Sequence, residues 1–128
     1  MLFRSPVCIR VPTPAAFVFN KGLVFTRRND RLKKAKDLYY IFDVLTSLEI
    51  LRDGIYSDIG GFRETYSPWF KRFTANLRGH FEDLTSEGVR WVVDQRPPNA
   101  FLELTPDQFG RYVFGVFRDF IQRIQRDE

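Results

Sequence analysis

From residue 13 onward, three places in this sequence set a hydroxyl residue directly before a proline: Thr13-Pro14, Ser67-Pro68 and Thr105-Pro106. A side-chain oxygen at a helix N-cap accepts from one of the first unpaired amides, and a proline at the first helical position gives up an N–H that would have no partner there. Each pair therefore predicts a helix start, and Gln108 completes a capping box with Thr105. Downstream of each start, apolar residues recur three and four positions apart, the period of one helix face.

These signals lay out a mainly α chain. The first helix is expected over residues 14–26 and the second over 32–52, with Leu38, Ile41, Leu45 and Leu48 as its buried stripe and Asp53-Gly54 ending it. A short helical piece over 58–66 is weakened by Gly60-Gly61. The next helix is expected over 68–84 with Trp69, Phe70, Phe73, Leu77 and Phe81 inward, followed by a shorter one over 87–95 carrying Trp91. Arg96-Pro97-Pro98-Asn99 reads as a rigid connector into a last helix over 106–126, where Phe109, Val113, Val116, Phe117, Phe120 and Ile124 repeat at helical spacing. Residues 3–11, rich in Val and Ile, read as one extended segment or strand closed by Pro12. A single strand leaves its backbone groups to another molecule, to a further part of a longer protein, or to water. The expectation is one domain, 1–128: an extended lead-in over 1–12 and a bundle of five or six helices over 13–128.

Fourteen phenylalanines in 128 residues imply either a dense aromatic core or rings left for a partner. The charge is just as uneven. Lys21, Arg27, Arg28, Arg31, Lys33, Lys34 and Lys36 stand against one acid, Asp30, so residues 21–36 carry a net +6 and the rest of the chain −2. A basic patch of this kind favours a phosphate-bearing partner, although solvated basic turns are also common. Lys21 is the only charge in the first helix, and Phe17, Lys21 and Val24 share a face of it. Its ammonium either snorkels to water or meets a carboxylate or a bound anion. A short turn between the first two helices makes them antiparallel and sets Lys21 level with Asp37, as a partly buried pair or as two walls of a phosphate-sized site.

Much catalytic chemistry has no residues to carry it. No two acidic residues stand two positions apart, so the strand-borne carboxylate pair that commonly holds catalytic magnesium cannot be written here. The glycines lack the spacing of a phosphate loop. His80 and Cys8 are the only residues of their kinds, which leaves neither a Cys/His metal cluster nor an internal disulfide. His80 is expected on a helix surface. One cysteine fits a reducing, cytoplasmic setting, and no stretch approaches the roughly 20 apolar residues of a membrane span.

Val11-Pro12-Thr13-Pro14, then Phe17, then Asn20-Lys21, and after a basic turn Lys36-Asp37-Leu38, together resemble the C-terminal half of bacterial nucleotidyltransferase-fold proteins, including abortive-infection type toxins and related uncharacterised families. The likeness spans residues 9–48. It implies that residues 3–11 are the last strand of a catalytic domain otherwise absent from this chain, that Lys21 approaches a nucleotide triphosphate, that Asp37 is the acid of the Lys-Asp motif, and that Lys36 is a further phosphate contact. Tyr40 stands where the family pattern often has a second aspartate. An acid near the start of a helix is also favoured by the macrodipole alone, so Asp37 keeps a structural reading beside the functional one.

On that resemblance the chain is a non-catalytic helical domain that completes a nucleotide- or RNA-binding cleft. Arg27, Arg28, Arg31, Lys33 and Lys34 supply the basic patch, with no cofactor of its own, and magnesium and a nucleoside triphosphate come with a catalytic domain or separate catalytic chain. The alternative is a free-standing interaction module, a homodimer for example, that uses exposed aromatic side chains.

Overall fold

The computed structural model describes residues 13–47 and 49–125, and within them the chain is a bundle of six α-helices. They are α1 (Pro14–Val24), α2 (Arg31–Ser47), α3 (Arg52–Thr65), α4 (Ser67–His80), α5 (Glu87–Asp94) and α6 (Pro106–Gln125). The expected strand over 3–11 and the buried position of Leu48 lie outside the described residues.

Two of the three hydroxyl–proline pairs cap helices as their chemistry requires. Thr13 accepts from the Ala16 amide at 3.1 Å, and Thr105 and Gln108 exchange bonds at 3.1 and 2.9 Å. The third pair works differently. Tyr66 is the N-cap of α4, with φ −131° and ψ 51°, and Ser67 already lies inside the helix without a capping bond. Proline at 68 cannot donate to the carbonyl of residue 64, and α3 ends and α4 begins across the single residue Tyr66.

The second expected helix ends early, at Ser47, and the piece expected over 58–66 belongs to a longer helix, α3. A tight 3-10 turn, Glu49–Leu51, separates α2 from α3, and Asp53-Gly54 lies in the first turn of α3 instead of ending α2. Local hydrogen bonds make the break: Thr46 returns its hydroxyl to the Phe42 carbonyl, Ser47 bonds Asp43, and Arg52 donates to the Leu45 carbonyl at 3.0 Å, serving an acceptor the ended helix leaves open. Gly60-Gly61 does not interrupt α3, which runs through both. Each glycine costs about 1 kcal/mol in a helix, less than the burial of Ile55, Tyr56 and Ile59 returns. The helix expected to reach residue 84 stops at His80, and Phe81 caps it. α1 ends at Val24 and tightens into a 3-10 turn over Phe25–Arg27.

α2 packs on α1, α5 and α6, while α1 also covers α3 and α4, and α6 closes the bundle against α3, α4 and α5. No described phenylalanine is exposed, which settles where the rings go: the core is aromatic. Phe81 stacks on Phe117 with centroids 3.8 Å apart, Phe42 meets Phe109 edge-on at 5.6 Å, and Phe73 meets Phe120 edge-on at 6.0 Å. Val116, expected inward, is only partly buried at the edge of this core.

Polar side chains tie the helices where the core cannot. Asn76 of α4 donates to the Gly22 carbonyl of α1 at 3.0 Å, and Arg63 of α3 donates to the Ile124 carbonyl at the end of α6. In the connector Arg96 donates to the Leu104 carbonyl at 3.1 Å and sits over the Phe109 ring. Phe101 there has φ 57°, a left-handed conformation costing about 1–2 kcal/mol for a non-glycine residue, and its ring packs against Phe42 and Phe109.

α1 and α4 approach so closely that a Cβ at position 22 would overlap the Phe73 ring. Gly22→Ala should therefore lower stability by about 1–3 kcal/mol through overpacking. Gly61→Ala, whose Cβ meets nothing, should raise it by about 0.5–1 kcal/mol. Urea unfolding of the two variants checks the opposite signs.

Candidate functional site

The α1–α2 hairpin positions the residues singled out by the sequence. Past Phe25–Arg27 the backbone opens at Arg28 (φ −67°, ψ 139°), which points the chain across to α2. Asp30 then starts α2: its carboxylate accepts from the Leu32 amide at 2.9 Å and its carbonyl from the Lys34 amide at 3.1 Å. This geometry brings Lys21 and Asp37 level. Lys21 Nζ lies 3.3 Å from Asp37 Oδ1, and Arg28 Nε donates to Asp37 Oδ2 at 2.9 Å.

Asp37 is 3 % exposed, so its charge has left water and requires both cations. The hydrogen bond to Asp37, reinforced by its charge, pushes the Arg28 guanidinium above its ordinary pKa, so this arm stays ionised across the physiological range. Lys21 is further held between two rings, with Nζ 5.4 Å from the Phe17 centroid and 5.3 Å from that of Tyr40. A lysine in an apolar stripe is thereby accounted for: its stem packs, and its ammonium has one carboxylate and two ring faces. The arrangement is an ion-pair pin with one cation in excess.

The other cations of the segment behave differently. Arg27, Arg31, Lys33 and Lys36 are exposed and Lys34 is half-buried, and among the described residues none of the five is paired with a carboxylate. Asp37 thus divides the basic segment into two inner cations that it binds and five outer ones that it leaves without a carboxylate partner.

Two features are not legible in the sequence. Arg28, grouped there with the patch, belongs to the pin, and only its extended backbone between the 3-10 turn and the Asp30 cap sets it apart. Trp69, expected inward, is 58 % exposed. It shares a face of α4 with Arg72 and Asn76, three and seven positions on, while the core stripe begins one residue later at Phe70. Tyr66, displaced to the surface by the α3–α4 break, stacks on Trp69 with centroids 5.9 Å apart and planes 14° apart. A groove runs past this stack. One end is lined by Phe19, Phe62 and Tyr66, the other by Val24, Arg27 and Arg72, and Asn20, Leu23 and Trp69 are common to both.

His80 is half-buried rather than on an open helix surface. It packs edge-on against Phe25 and beside Trp91, and its Nδ1 lies 2.8 Å from the Asn76 carbonyl, which requires the proton on Nδ1. No His, Cys, Asp and Glu residues cluster as a metal site among the described residues, and no helix there is long and apolar enough to cross a membrane. No family model matches the chain, and neither a curated protein nor a solved structure is found to be similar to it.

Removing the carboxylate should cost more than removing either arm. Asp37→Asn leaves two cations without their acceptor and should lower stability by about 2 kcal/mol, whereas Lys21→Met keeps the packed stem and the Arg28 bond and should cost under about 1 kcal/mol. Chemical unfolding at neutral pH reads both.

Proposed function

We propose that this chain is a non-catalytic, RNA-binding helical module, equivalent to the C-terminal helical part of a nucleotidyltransferase-fold protein, whose basic turn grips the phosphate backbone. The observation that carries the reading is the division of charge at the α1–α2 hairpin. Asp37 is consumed by Lys21 and Arg28, while Arg27 at the end of the 3-10 turn and Arg31, Lys33, Lys34 and Lys36 at the start of α2 have no carboxylate partner among the described residues. Like charges so concentrated repel one another, and a polyanion relieves that repulsion while releasing its own counterions.

Within this reading Lys21 and Asp37 hold the turn in shape, and Lys36, one residue before Asp37, is an outward phosphate contact. Catalysis, with its magnesium and nucleoside triphosphate, belongs to another domain or chain. The cytoplasm is the compartment that fits such a partner. A second reading, a protein-interaction or homodimerisation module, draws on the exposed Tyr66–Trp69 stack. Salt separates the two, since phosphate binding weakens steeply as salt rises and an apolar interface does not.

Reversing Arg27, Arg31 and Lys33 to glutamate should abolish most retention on single-stranded RNA and flatten the slope of log affinity against log salt by about 2, at roughly 0.7 for each phosphate no longer neutralised. Reversing the exposed Arg78, Arg90 and Arg118 instead should leave the slope close to that of the parent. Equal effects from both triples would reduce the turn to a solubilising surface.

A further inference from the structure

The groove beside Trp69 carries an inference of its own, which rests on the RNA reading and names what part of the RNA is read. Exposing an indole forgoes its burial, whereas no described phenylalanine is exposed. Here the exposed ring is also fixed in place, because Tyr66 lies nearly parallel to it and is itself braced edge-on by Phe62 at 5.6 Å. A flat ligand stacking on a ring already held still loses little further rotamer freedom.

The groove is chemically two-ended. Its aromatic end is formed by Phe19, Phe62 and Tyr66, and its far end by Arg27 and Arg72, with no acidic residue lining either half. Asn20, exposed and common to both halves, offers a donor and an acceptor. Arg27 belongs at once to this groove and to the basic turn, so a strand whose phosphates follow the turn is led to the indole. An apolar peptide would have use for the rings but none for two arginines. A ligand with a planar aromatic ring and a nearby anion uses both, and that is a nucleotide unit of an unpaired strand.

We propose that Trp69 is a stacking platform for an unpaired base of single-stranded RNA, with the adjoining phosphates on Arg27 and Arg72. The recognition is by ring and charge, so it tolerates changes of sequence and excludes duplex, whose bases are already stacked.

The test compares a fluorescently labelled short oligouridylate with an abasic ribose-phosphate oligomer of equal length and charge. The full chain should bind the base-bearing strand about tenfold more tightly, the scale of one base–aromatic stack. Trp69→Ala should erase that preference while leaving abasic binding unchanged, and Trp69→Phe should retain part of it. Circular dichroism of both variants checks that the helices persist. Equal affinity of the parent for both oligomers, or a preference that survives Trp69→Ala, would overturn the stacking site while the basic turn stands. Failure of the parent to bind either strand would overturn the RNA reading and this site with it. Self-association of the parent that Trp69→Ala abolishes, without a base preference, would make the groove an interface between copies and overturn the stacking site.

Discussion

One buried carboxylate governs the shape of this molecule's basic end. Asp37 is almost wholly withdrawn from water, and a charge so placed is tolerated only with its bonds completed. The completing groups come from two places ahead of α2: Lys21 from α1 and Arg28 from the turn that follows it. Both reach Asp37 in only one register of α1 on α2. A hydrophobic pair could supply as much stability, since the desolvation of buried ions offsets much of their attraction. What two directional bonds to two oxygens add is a single permitted alignment, whereas the apolar stripes of α1 and α2 alone would tolerate sliding.

The opposite wall depends on backbone chemistry rather than charge. Pro68 forces α3 and α4 apart at Tyr66, and the break turns Tyr66 and Trp69 outward together. Gly22 then lets α4 settle on α1, where Asn76 fixes it through the Gly22 carbonyl. The close approach that buries Phe73 thus also draws Trp69 and Arg72 up to the end of α1 that feeds the basic turn. Core packing and surface composition are set by the same helix pair.

Local signals in the sequence are legible where the responsible atoms are neighbours in the chain. Thr13 and Thr105 announce their helices because a cap involves residues two or three apart, and the α6 stripe is legible because period alone defines a buried face. Counting residues from the turn suffices to set Lys21 opposite Asp37. The α2–α3 break is not legible, because it rests on Arg52 reaching back to the Leu45 carbonyl, and Asp53-Gly54 imitates a helix end that never occurs. Gly60-Gly61 misleads in the same way: propensity disfavours the helix, and the burial of Ile59 beside them overrides it. Trp69 escapes a reading by period because one residue of phase along α4 separates the core face from the groove. Arg28 is hidden among six other cations of similar character, where only its backbone conformation distinguishes it.

The arrangement also shows how a strongly basic segment can be folded without being neutralised. A second internal acid would have paired more of the cations and left the turn no field to project. Without an internal acid, Lys21 would sit uncompensated in an apolar stripe, and the hairpin would have no polar anchor. One carboxylate with two oxygens anchors the two cations nearest the core and no more. Exposed charges are screened beyond about 8 Å at physiological salt, so those remaining on the turn act on a partner only at close range. Arg27 occupies the point where that range overlaps the exposed indole, between the hairpin that Asp37 aligns and the helix that Asn76 holds. Charge and ring are brought to one place by two anchors in separate helices, and each anchor is a polar side chain bonded to the neighbouring helix α1.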